Sequence, residues 1–213
     1  MQPINKILMN ELTTALPGRR EKRKQEIRER IEDAAYLLFK QQGIDEISIE
    51  QICVQADVAR RTFYGHYPNK QALLASLSYN RVWRTADELI HDIMENHDTA
   101  WNRVSAMIDY METNVSGYQD VDRALMRVSP ASFEDMSHLL DISNSLQGHL
   151  VRFFQIGKDN GDTTGEHSAE LLAEMVMGTL NTMLSTWAGD PEYPLISKLE
   201  EARNLFKSVV CTT

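Results

Sequence analysis

Arg60, Arg61, Thr62, Tyr64, His66 and Lys70 crowd one short span of the chain. An arginine can bond O6 and N7 of guanine with two parallel hydrogen bonds, and a threonine offers a methyl and a hydroxyl to thymine or phosphate. Tyrosine, histidine and lysine at these spacings suit phosphate oxygens. The chemistry on offer is recognition of a duplex. Catalytic alternatives are thin. His91 and His97 are not spaced for one helical face, and the sequence has no H-E-x-x-H, no G-x-S-x-G and no phosphate-cradling loop, so no enzyme activity is expected. Cys53 and Cys211 lie far apart with no C-x-x-C pair, so neither a disulfide framework nor a metal site is expected, and no cofactor either.

The reading residues need a short helix, and its surroundings supply one. Arg19, Arg20, Lys22, Arg23, Lys24, Arg28 and Arg30 open a helical pattern whose apolar face is Ile27, Ile31, Ala34, Ala35, Leu38 and Phe39, ending at Gly43. Ser48 starts a second, short helix as a cap, with Gln51 completing a capping box, and Ile49, Ile52 and Cys53 point inward. Ser48 also joins the candidate DNA contacts. Asp57 can hold a left-handed turn. A third helix is expected from about Ala59 to Tyr67, with Val58, Phe63 and Tyr67 buried, broken by Pro68-Asn69. Two short helices around a tight turn form a helix-turn-helix signature, with the N-terminal residues of the second helix meeting base edges.

Charge agrees with that placement. The net charge is −9 overall, yet residues 1–70 carry 12 Lys/Arg against 10 Asp/Glu while residues 71–213 carry 10 against 21. A locally basic N-terminal part on an acidic body is a cue for nucleic acid. No apolar stretch is long enough to span a bilayer, and no signal-peptide pattern opens the chain, so a cytoplasmic protein is expected.

The run from Ser48 to Leu74, with its Thr62-Phe63-Tyr64-x-His66-Tyr67-x-Asn69-Lys70-x-x-Leu73-Leu74 core, resembles the tetracycline-repressor (TetR) family of bacterial transcription regulators. The likeness covers roughly residues 25–75. Asp57 stands where that family usually has Gly, and Ala59 where it usually has a capping Ser; losing that cap costs on the order of 1 kcal/mol. The resemblance implies an all-α chain of about nine helices. Residues 1–18 are expected to be a flexible arm, 19–68 a three-helix helix-turn-helix domain, and 69–213 a helical domain for effector binding and dimerisation. It further implies a repressor, bound to a palindromic double-stranded operator as a homodimer and released by a small, apolar effector.

Beyond residue 69 everything reads as helix. Leu73, Leu74, Leu77, Trp83, Ile90 and Met94 belong to one long helix, and a later one is expected over about Phe133–Lys158, with Leu139, Ile142, Leu146, Leu150 and Phe153 on one face. The resemblance puts an effector pocket between the fourth and eighth helices. Candidate lining residues are Trp83, Met107, Met111, Tyr118, Phe153, Met175 and Met183, with His149, Arg152 and Asn181 as polar anchors; each also suits plain core. Arg103 would suit an acidic head group if it points inward. The last two helices carry stripes of Leu172, Val176, Leu180, Met183 and Trp187, and of Leu199, Leu205 and Phe206. These stripes are expected to form a dimer interface, with the core of one subunit as the alternative.

Overall fold

In the computed structural model, which describes residues 18–128 and 137–211, all regular structure is helical apart from one isolated bridge between Thr163 and Cys211. The expected arm, and the start of the expected Phe133–Lys158 helix, lie outside the described residues. So do the side chains of Leu139 and Ile142.

Helix α1 spans Arg19–Gln42. Gly43 ends it at φ 89°, where its N–H still donates to the Phe39 carbonyl, a conformation favouring glycine. Helix α2 (Ile49–Gln55) begins with the capping box that Ser48 and Gln51 encode, each side chain bonding the other's backbone N–H. Asp57 turns the chain at φ 52°. Helix α3 is only Arg60–Tyr64, shorter than its sequence suggests. The chain then tightens, His66 and Tyr67 N–H both donating to the Phe63 carbonyl, and Asn69 caps the next helix through the Ala72 N–H.

The expected long fourth helix runs in three pieces. Helix α4 (Lys70–Ser78) passes through a π-helical turn at Tyr79–Trp83 into α5 (Arg84–Asn96). Then follow α6 (Ala100–Val115), α7 (Asp120–Met126), α8 (Ser137–Asn160), α9 (Ala169–Gly189) and α10 (Leu195–Val210).

Buried apolar side chains gather into two clusters. One holds Ile31, Ala35, Phe39, Ile52, Phe63, Tyr67 and Leu73 from α1–α4, together with Val121 and Leu125 of α7. The other holds α5, α6, α8, α9 and α10, centred on Val104, Ile108, Leu150, Phe153, Val176, Leu199 and Phe206. Helix α4 and the later helix α7 therefore complete the first core, and that core crosses the boundary expected at residue 68.

This packing corrects the dimer stripes. Leu172, Val176, Leu180, Trp187, Leu199 and Phe206 are buried within a single chain, and Met183 packs half-buried against the same core. Only Leu205 of that set stands exposed. An amphipathic helix buries its apolar stripe on the nearest core, and here the chain supplies that core itself.

Candidate nucleic-acid interface

The turn before α3 is braced from α1. Arg30 donates to the Ala56 carbonyl at 2.6 Å and the Asp57 carbonyl at 2.9 Å, and lies 3.4 Å from the Asp57 carboxylate. Phe63, fully buried, pins the inner face of α3. With Ala59 offering no side-chain cap, the outer face presents Arg60 and Arg61, both exposed.

These two arginines differ. Arg60 pairs with Glu50 of α2 at 2.8 Å, and hydrogen bonding to Tyr64, then the Glu50 charge, hold its guanidinium more firmly protonated than usual. Arg61 has no side-chain partner among the described residues. Thr62 is half-buried, and Tyr64 is exposed with its ring set edge-on to Phe63. His66 is half-buried; desolvation first, then the charges of Lys24 and Arg28, push its pKa below the ordinary value. The basic end of α1 therefore lies beside the turn that follows α3. Arg19, Arg20, Lys22, Arg23 and Lys24 are exposed there.

Lys70 does not project freely as its position in the motif suggested. Its ammonium donates to the Ile44 carbonyl and, at 2.6 Å, to the Ile47 carbonyl, and it sits over the Phe39 ring. The loop between α1 and α2 has carbonyls facing inward, and this lysine satisfies them. Ser48 is likewise occupied, its hydroxyl accepting from the Gln51 N–H.

Sequence reasoning missed Glu50, Arg30 and Glu32. Glu32 is buried, and its carboxylate accepts from Tyr67 at 2.6 Å, Ser76 at 2.7 Å, Asn80 at 2.9 Å and Arg28 at 3.4 Å. Burial, and then the Glu32 charge, raise the Tyr67 phenol well above its usual range. Alongside, Arg81 stacks on Tyr36 at 3.8 Å while pairing with Asp33, and the Tyr36 hydroxyl donates to Asp122 of α7 at 2.7 Å. Burial and that acidic partner push the Tyr36 phenol up to about 12. These groups border a polar cleft of about 510 Å³ between α1, the π turn and α7.

The effector candidates separate. Met107 and Phe153 are buried, and Trp83, Met111, Tyr118, Met175 and Met183 are half-buried against the same core. His149 faces Asp87 at 3.9 Å, and its buried Nδ1 makes no hydrogen bond. Arg152 and Asn181 are exposed, which corrects their reading as polar anchors: both helices turn their other faces inward. Arg103 does point inward.

A helix-turn-helix braced on a larger helical body defines a DNA-binding transcriptional regulator. Residues 31–77 match the family described as bacterial regulatory proteins, tetR family. The chain is 24% identical over 169 residues to the fatty acid metabolism regulator protein of Bacillus subtilis (strain 168), covering 78% of this chain and 86% of that protein. Among solved structures, FadR from Bacillus subtilis in complex with stearoyl-CoA is similar at a TM-score of 0.62 and 21% identity, over 84% of this chain and 96% of that one. SmeT, the repressor of the Stenotrophomonas maltophilia multidrug efflux pump SmeDEF, is similar at 0.66 and 20%, over 87% and 90%. These likenesses establish the shared fold. Among the described residues no helix is long and apolar enough to cross a membrane.

Proposed function

We propose that this regulator is a repressor that occupies a palindromic operator as a homodimer and leaves it when a small, largely apolar effector enters the second core. The observation that carries the reading is the contrast on α3: Arg61 is exposed and unpartnered, whereas neighbouring cations at Arg30 and Lys70 are consumed by the fold. Arg61 reads a base edge, Arg60 and Tyr64 work beside it, and Thr62 and His66 approach the backbone. Two copies related by a two-fold axis would address half-sites about one helical turn apart, roughly 34–36 Å.

The dimer surface is the outward line of α9, namely Leu171, Gly178, Thr182, Ser185 and Gly189, joined by Leu205 of α10. These residues recur at helical spacing, and Leu171 and Leu205 are exposed leucines. The effector is expected among Trp83, Met107, Met111, Tyr118, Phe153 and Met183. The stearoyl-CoA complex of the Bacillus subtilis relative supports an acyl-type ligand.

Sites selected from random duplex DNA provide the test. Arg61→Ala is expected to lower affinity for the selected operator by about 1–3 kcal/mol and to relax preference at one base pair per half-site. Unchanged affinity and preference would remove Arg61 from base reading.

A further inference from the structure

Helix α6 carries two contrasting arginine environments. On its outer side, Arg203 of α10 bonds Ser105, Asp109 and Glu112 at 2.6–2.8 Å, a guanidinium fully matched by carboxylates. On its inner side, Arg103 is only 6% exposed. Its Nε donates to the His97 carbonyl at 2.8 Å, and its guanidinium carbon lies 5.6 Å from the centre of the Phe153 ring. Its Nη1 is enclosed and meets no acceptor, and no carboxylate lies within 4 Å of it among the described residues. Arginine cannot shed its proton to relieve such a position. A buried charge without counterion or full hydrogen bonding is unfavourable, and its neighbours Ala100, Val104, Met107 and Phe153 are apolar. The arrangement lacks one component, a compact anion.

We propose that Arg103 binds the carboxylate of an amphipathic effector, a medium- or long-chain organic acid whose tail lies along Met107 towards Met111. Met107 sits one helical turn beyond Arg103 on the buried face of α6, so head and tail sites share one line. The carboxylate supplies the acceptor that Nη1 lacks and neutralises the charge, while the tail replaces packing inside the second core. This deepens the effector reading above and rests on it.

The test uses the full chain, with decanoate and 1-decanol as probes, titrated by calorimetry. The wild type is expected to bind decanoate at least about tenfold more tightly than the alcohol, as a charge-assisted hydrogen bond warrants. Arg103→Met, close to the original volume, is expected to abolish that preference while leaving 1-decanol binding unchanged. Its ligand-free melting temperature should not fall, because an unpaired buried charge has been replaced by an apolar chain. Arg103→Lys should retain part of the preference. If the wild type binds both probes equally, the head-group assignment is wrong while the apolar effector reading stands. If neither probe binds, both readings fail for this ligand class. If Arg103→Met unfolds or melts well below the wild type, or keeps the decanoate preference, Arg103 is an anchor for the His97 loop and the proposal is overturned.

Discussion

Replacing Glu32 by alanine should uncouple the reading head from the rest of the molecule. The carboxylate is buried and accepts four hydrogen bonds, from Tyr67, Ser76, Asn80 and Arg28. Tyr67 is 2% exposed, so in a dry site its hydroxyl would exchange a carboxylate acceptor for the weaker and already engaged Ser76 hydroxyl. Ser76 is 8% exposed; it would keep the bond it accepts from Arg28 at 2.8 Å but lose the partner for its own proton. Each buried donor left unpaired costs about 1–3 kcal/mol. Arg28 is partly exposed and rehydrates, and half-buried Asn80 adds a smaller cost. The sum is about 3–5 kcal/mol, the scale expected when one partner of a buried charged network is removed. Urea titration followed by circular dichroism would register it as an earlier first transition, since the two cores need not unfold together. Glu32→Gln retains an acceptor oxygen for Tyr67 and Ser76 and should lose less than half as much. A Glu32→Ala loss under about 1 kcal/mol, or a glutamine variant as damaged as the alanine one, would refute the network's role.

Alkaline pH should weaken the same region. The Tyr36 and Tyr67 phenols are raised above the ordinary value of 10.0, so the folded chain keeps protons that the unfolded chain loses; the stabilisation is whole below pH 10 and fades as pH rises through about 12, readable in melting temperatures across that window. Glu50→Gln frees Arg60 from its 2.8 Å partner and is expected to steepen the salt dependence of DNA binding by about one counterion while loosening sequence preference; an unchanged slope in a salt titration counts against a restraining role for Glu50. Lys70→Met should lower the melting temperature of the free protein, because the Ile44 and Ile47 carbonyls lose their donor, an effect of about 1–3 kcal/mol. A Lys70→Met protein as stable as wild type that bound all duplexes more weakly would return this lysine to the phosphate contacts.

What the sequence made legible was the part governed by local rules. The Ser48–Gln51 box, the Gly43 stop, the Asn69 cap and the left-handed turn at Asp57 each follow from a residue type that one backbone conformation favours, and each appears in the structure. Helical periodicity located the inward faces but could not say which neighbour they would meet. Leu172, Val176 and Leu180 therefore read as a dimer seam, whereas they lie in the subunit core. Cations posed the same difficulty. Near a helix-turn-helix, Lys70 reads as a phosphate contact until the facing carbonyls are known, and nothing in the spacing of Arg30 or Glu32 announces the Ala56 carbonyl or the Tyr67, Ser76 and Asn80 side chains that they meet. The π turn at Tyr79–Trp83 has no mark in composition at all.

That turn sits where the two cores meet. Asn80 within it bonds Glu32, and Arg81 within it pairs with Asp33 and stacks on Tyr36, so both side chains grip α1. Helix α7 approaches the same place from the other side. Its Asp122 takes the Tyr36 hydroxyl, its Leu125 carbonyl accepts from buried Ser78 at 2.8 Å, and its Arg123 lies 4.1 Å from the Trp187 ring of α9. One short helix thus touches the reading head through α1 and α4, and the body through α9. A ligand alters DNA affinity only by binding one head-to-body arrangement better than another. Rigid contacts at Asp122 and Leu125 leave little freedom for α7 to move without carrying α1 and α4 along. The rings of Tyr118 and Trp187, tilted at 51° with centroids 5.9 Å apart, lie beside α7, so Trp187→Ala is expected to weaken any effect of effector on DNA affinity while leaving effector-free DNA binding in place, as paired binding titrations would show.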